Sequence, residues 1–109
     1  MTEKYGLSAA VIKKIQSAFA RFAAIDQVVL YGSRAKGNYR TGSDIDLTLK
    51  VTGTHPENLL ADVTAALDEL DLIYSFDVSI YNHIKNQNLL DHINRVGVIF
   101  YESGSNLNQ

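Results

Sequence analysis

Apolar side chains recur along this chain in two rhythms, and the rhythm changes at turn-forming residues. Leu7, Val11, Ile12, Ile15, Phe19 and Phe22 return at helical spacing, which predicts an opening helix. Ser8 stands where an N-cap belongs, and Leu7 with Ile12 would form the hydrophobic staple around it. Residues 27–31 are β-branched and apolar and stop at Gly32, the pattern of a short buried strand. Residues 32–43 set Gly32, Gly37 and Gly42 among Ser, Asn and Arg, a loop with room for one helical turn over 33–36. Over 44–50 the alternation is strict. Ile45, Leu47 and Leu49 point one way, and Asp44, Asp46, Thr48 and Lys50 the other.

Thr52 to His55 reads as a turn, and Pro56 suits the first position of the next helix, where its missing N–H costs nothing. Leu59, Leu60, Val63, Leu67 and Leu70 give that helix a buried stripe, with Asp62, Asp68 and Glu69 on its wet side. A third strand is expected over 73–80, where Phe76, Val78 and Ile80 alternate with Ser75, Asp77 and Ser79. A last helix over 86–95 carries Leu89, Leu90 and Ile93, with Gly97 as its C-cap, before a final strand at 98–101. This order predicts an α/β (α+β) fold, a small mixed sheet flanked by helices. With 109 residues there is room for one core, so a single domain over 1–102 and a flexible C-terminal tail over 103–109 are expected.

Composition narrows the chemistry. The absence of cysteine excludes disulfides and thiolate metal sites. No apolar run approaches a membrane span and no signal-peptide core follows Met1, so a cytoplasmic protein with no membrane partner is expected. A formal net charge of −2 speaks against generic nucleic-acid binding. That balance is reversed locally, because Arg34, Lys36 and Arg40 lie in a stretch with no acid between Asp26 and Asp44.

Side chains two apart on a strand share a face, so Asp44 and Asp46 project together, and Asp77 joins them if its strand lies close. Such a face is ordinarily a solvated one. Crowded carboxylates otherwise call for hard divalent cations, and a pair of Mg²⁺ ions can stabilise the attacking and leaving oxygens of a displacement at phosphorus. The preceding loop favours the second reading. Gly32 lets the backbone turn sharply and approach a ligand, and Ser33 offers a hydroxyl and an N–H at the start of a helical turn. Arg34, Lys36 and Arg40 supply positive charge for phosphates, or else stand as solvated loop charges. A P-loop is excluded, because Asn38 and Tyr39 occupy the positions where Lys and Ser or Thr belong after Gly32 and Gly37.

Gly32-Ser33, ten intervening residues, then Asp44-Ile45-Asp46 resembles the signature of the DNA polymerase β-like nucleotidyltransferase superfamily. The fuller run, Gly32-Ser33-Arg34-Ala35-Lys36-Gly37 with Gly42-Ser43-Asp44-Ile45-Asp46-Leu47, looks like its minimal branch, the MNT or MntA-type antitoxins. Asp77, in Phe76-Asp77-Val78, sits where the third carboxylate of that family is expected, so the resemblance spans essentially the whole chain. It implies that Asp44 and Asp46 bind two Mg²⁺ ions, that Asp77 binds the catalytic ion and helps deprotonate an acceptor hydroxyl, and that Gly32 and Ser33 hold the phosphates of ATP. It also implies a partner, a helical HEPN-type toxin whose tyrosine receives AMP, in a homo- or hetero-oligomer. Two other outcomes stay open: a binding module that neutralises its partner by contact alone, and nucleotidyl transfer to a small molecule such as an aminoglycoside. His55, His83 and His92 fall at no common metal-ligand spacing and are read as structural or neutral, and Tyr31 as core or as a stacking surface for a base.

Overall fold

The computed structural model describes residues 3–104. A two-stranded hairpin, β1 (Glu3–Lys4) and β2 (Leu7–Ser8), leads into α1 (Ala9–Phe19). Then come β3 (Ile25–Tyr31), the single turn α2 (Ser33–Lys36), β4 (Ile45–Val51), α3 (Leu59–Asp68) and β5 (Phe76–Ile80). A 3-10 turn (Tyr81–His83), α4 (Gln87–Val96) and β6 (Val98–Glu102) complete the chain. The main sheet has the order β5-β4-β3-β6. Its β4–β5 pair is parallel and the other two pairs are antiparallel. A parallel pair needs a crossover, and α3 provides it.

The two faces of the sheet are covered unequally. Leu7, Ile15, Phe19, Val28, Leu30, Ile45, Leu47, Leu49, Val63 and Leu67 form the main core, between the sheet and helices α1 and α3. Most of these side chains are wholly buried, each contributing about 1.5–3 kcal/mol relative to an exposed position. On the opposite face, α4 seats Ile93 against Val29 and Tyr31 in a much smaller cluster. The inward face of β4 therefore fixes its register, since a slip by one residue would carry Asp46 into the main core.

Local signals explain most boundaries. The Ser8 Oγ accepts from the Val11 N–H at 3.2 Å, capping α1 as expected, and Asn86 caps α4 through the Leu89 N–H. Other expectations give way. The opening hairpin lies outside the predicted elements; Tyr5 and Gly6 both take positive φ, as a two-residue hairpin turn requires. Pro56 does not start α3. Its carbonyl instead accepts from the Leu59 N–H at 3.2 Å, closing a turn that delays the helix to Leu59. The third strand begins at Phe76 rather than at 73, because its ladder with β4 starts only at the Ile45–Phe76 pair; Ile73 is 93% exposed. Gly97 does follow α4, but with φ −66° and ψ 145° instead of a left-handed cap. Its need for glycine is steric, since a Cβ would collide with the Ile93 carbonyl and a Val29 methyl. Of the tail expected over 103–109, residues 105–109 lie outside the described ones. Among the described residues no helix is long and apolar enough to cross a membrane.

Candidate active site

Three strands meet to form one polar row. Tyr31 is the register partner of Asp46 across β3 and β4, and Asp46 is the partner of Asp77 across β4 and β5. Adjacent strands are about 4.8 Å apart, so the Asp46 and Asp77 carboxylates are close neighbours on the face that also carries α4. Asp44 stands two residues earlier, exposed at the entrance to β4. One row further along, the Ser79 Oγ donates to the Thr48 Oγ1 at 2.9 Å, giving the site a hydrogen-bonded floor.

Gly32 closes the site on the β3 side. Its φ of 77° and ψ of −157° belong to a region that is essentially glycine's alone. A Cβ there would meet the Asp46 Oδ2, so the carboxylate lies directly against the Gly32 backbone. Ser33 opens α2, whose first N–H groups have no acceptor within the turn. The Gly32 carbonyl accepts from the Lys36 N–H at 3.0 Å, and the Ser33 carbonyl from the Gly37 N–H at 2.9 Å, which holds the turn shut.

The electrostatics match the crowding. Burial raises the Asp46 carboxyl above its ordinary value, the charges of Asp77 and Asp44 raise it further, and Arg34 opposes them. The Tyr31 phenol is also raised, first by burial, with a Ser79 hydrogen bond opposing and the Asp77 and Asp46 charges adding. A bound cation would relieve this repulsion. The donors are hard oxygens, as Mg²⁺ prefers, and the Gly32 backbone leaves the Asp46 carboxylate room to serve. Among the described residues no three carboxylate or imidazole groups converge on one point. Mg²⁺ needs no such cage, because one or two carboxylates suffice when phosphate oxygens and water complete the shell.

The expected site residues thus divide. Gly32, Asp46 and Asp77 come together, with Asp44 at the rim and Ser33 at the head of the adjoining turn. Lys36 is exposed on α2, and Arg40 is exposed in the loop beyond it, where its backbone N–H donates to the Ser43 Oγ at 2.8 Å. Arg34 departs from its expected part as a phosphate ligand. It is only 3% exposed. Its Nε and NH2 donate to the Ser43 carbonyl at 3.1 and 2.9 Å, and its NH1 donates to the Tyr5 carbonyl at 2.8 Å. The guanidinium lies 5.4 Å from the Tyr39 ring centre and 5.2 Å from that of Tyr74. It joins the N-terminal hairpin to the loop before β4 and is committed there. Tyr31, Thr48 and Ser79 are members of the site to which sequence reasoning gives too little weight. Their signal is the polar alternation itself, continued two residues past Asp46 and Asp77.

A mixed sheet presenting paired aspartates beside a glycine–serine turn defines the class of enzymes that transfer nucleotidyl groups. The sequence agrees, matching the family described as polymerase beta, nucleotidyltransferase over residues 13–106, and the chain belongs to that family. No curated protein sequence matches it. Among solved structures it is similar to a chain of a toxin–antitoxin complex with AMP-PNP, at TM-score 0.67 and 18% identity over 87% of this chain and 76% of that one. It is also similar to a chain of the tri-AMPylated Shewanella oneidensis HEPN toxin in complex with MNT antitoxin (TM-score 0.54, 14% identity, 91% and 72% covered). A third is the MntA–HepT toxin–antitoxin complex (TM-score 0.53, 14% identity, 89% and 71% covered). At such identities the likeness establishes the fold.

Proposed function

We propose that this protein transfers AMP from ATP to a tyrosine hydroxyl of a helical HEPN-type toxin, and so serves as the antitoxin of the pair. The observation that carries this reading is the row formed by Asp46 and Asp77, closed by the Gly32 backbone. Membership of the nucleotidyltransferase family supports the chemistry. The likeness to antitoxin-containing complexes, one with an AMPylated toxin, supports the acceptor.

In this reading Gly32 and Ser33 hold the β- and γ-phosphates against the start of α2. Asp44, Asp46 and Asp77 would hold Mg²⁺, two ions in all, which supply charge neutralisation at the α-phosphate and at the departing oxygen. Asp77, exposed on the edge strand, faces the acceptor and takes the proton of its hydroxyl. The acceptor oxygen bonds to the α-phosphorus, the bond to the β-phosphate oxygen breaks, and pyrophosphate leaves. Lys36, exposed on α2, contributes charge to the phosphate path. Arg34 acts from behind, fixing the loop that brings Asp44 to the rim.

Incubating the protein with its co-expressed partner, Mg²⁺ and labelled ATP tests the proposal. Label on the partner, on a tyrosine by mass spectrometry, is expected, with none when Asp44 and Asp46 are both changed to Asn. An unlabelled partner that is nonetheless neutralised, equally well by the double variant, would replace transfer with neutralisation by contact.

A further inference from the structure

Far from the aspartates, the fold brings together two histidines that the sequence holds apart. His55 follows β4, and His83 closes the 3-10 turn that follows β5. Because β4 and β5 are parallel, both lie beyond the same end of the sheet. Asp46 and Asp77 stand at the other end: Val51, where β4 stops, is five residues past Asp46, about 16 Å of strand. The Nε2 atoms of His55 and His83 are 3.4 Å apart, with ring centres at 5.3 Å and the ring planes 42° from one another.

That separation is long for a hydrogen bond between two nitrogens. It suits another geometry. Two imidazole nitrogens each about 2.0–2.1 Å from a tetrahedral Zn²⁺ stand about 3.3–3.4 Å apart. The second ring nitrogen of His55 is already engaged, its Nδ1 lying 2.9 Å from the Pro56 carbonyl. A proton on Nδ1 donated to that oxygen leaves the Nε2 lone pair free on the side where His83 lies. A backbone carbonyl on the far nitrogen is the usual means by which a metal-bound histidine is oriented. We infer that His55 and His83 form a binding site for a borderline divalent metal, zinc being the fitting ion, with water completing the shell. Imidazole nitrogens favour zinc over magnesium, so the site is chemically distinct from the carboxylate row. Zinc there would clip the β4–α3 connection to the 3-10 turn across a sequence separation of 28, reinforcing the tie already made by the Val51 N–H and the Asn82 Oδ1 at 3.2 Å.

The test is a Zn²⁺ titration of the whole protein followed by the nitrogen resonances of its histidine rings, repeated on Asp44→Asn/Asp46→Asn to remove the carboxylate site as a competitor. His55 and His83 should shift together and saturate at one zinc per chain in both proteins. His92, which packs on Tyr31 at a ring distance of 6.1 Å, should stay unmoved, and Mg²⁺ should shift none of them. Loss of an outer-shell partner weakens metal binding about 10- to 100-fold. Losing one of only two protein ligands should therefore weaken it about 100-fold in His83→Ala, a change at an exposed position that leaves the fold intact. Shifts spread equally over all three histidines, no saturable shift at all, or unchanged affinity in His83→Ala would each overturn the inference.

Discussion

Replacing Gly32 with alanine separates what the backbone needs at the active site from what the chemistry needs. The φ and ψ at Gly32 lie in a region where other residues carry about 1–3 kcal/mol of strain, so the variant should lose that much stability. The new methyl group also strikes the Asp46 Oδ2, which is the free end of a short side chain and can swing aside. The collision therefore adds little to the stability cost. Measured again in an Asp46→Ala background, the loss should agree within about 0.5 kcal/mol, because the Asp46 Cβ lies at ordinary contact distance, 3.5 Å, from the added atom. Activity should respond differently. A carboxylate moved by about 1 Å can cost about 100-fold in rate, and AMP transfer should fall by at least that factor. Urea unfolding of the four proteins and single-turnover transfer by wild type and Gly32→Ala supply both readings. A stability loss below about 0.5 kcal/mol would remove the argument from backbone strain. Transfer within a few-fold of wild type would show that Asp46 does not work where the Gly32 backbone holds it.

Three further variants test the same site. Arg34→Met should destabilise the protein by about 2–4 kcal/mol in urea unfolding, because the Ser43 and Tyr5 carbonyls lose their donors; Lys36→Ala should stay within about 0.5 kcal/mol of wild type and instead raise the KM for ATP. The raised Asp46 carboxyl makes the folded state bind that proton more readily than the unfolded chain, so its contribution to stability is present at low pH and lost as pH rises through the raised value. Without divalent metal, Asp46→Asn should therefore be the more stable protein at pH 8, by at most about 1 kcal/mol at this solvent-screened position, and the gap should close as pH falls through the carboxylate range. A variant less stable than wild type at every pH, by thermal unfolding, would contradict the crowding of Asp46 by Asp77 and Asp44.

How much of the fold and the site is legible in the sequence depends on the range of the cause. The alternation at Ile45, Leu47 and Leu49 is a local pattern with a fixed period, and that period alone puts Asp44 and Asp46 on one face. Ser8 announces its helix for an equally local reason, a side-chain oxygen within reach of nearby N–H groups. Arg34 escapes such reasoning because charge alone suggests solvent. Its burial requires a hairpin 29 residues away and Tyr74 from the approach to β5, besides the nearby Tyr39. The His55–His83 approach is hidden likewise, since only the parallel pairing of β4 with β5 brings them together. Pro56 and Gly97 carry correct signals of a boundary and wrong signals of its geometry. Proline is as content in a turn as in a first helical position, and glycine is needed as much for closeness as for a left-handed φ.

The two faces of β4 divide their labour, one packing the main core and the other carrying the carboxylates to which the proposed chemistry falls. Register, packing and the crossover depend on Ile45, Leu47 and Leu49, whereas the aspartates opposite them add only mutual repulsion to the unliganded chain. On the roles proposed for Asp46 and Asp77, a single exchange of carboxylate for amide should leave a well-formed molecule that transfers no AMP and keeps the same outer surface. Such a molecule would still occupy any partner that recognises that surface. In mutational terms the enzyme lies one step from its own decoy, and the reverse step needs no repair of the scaffold.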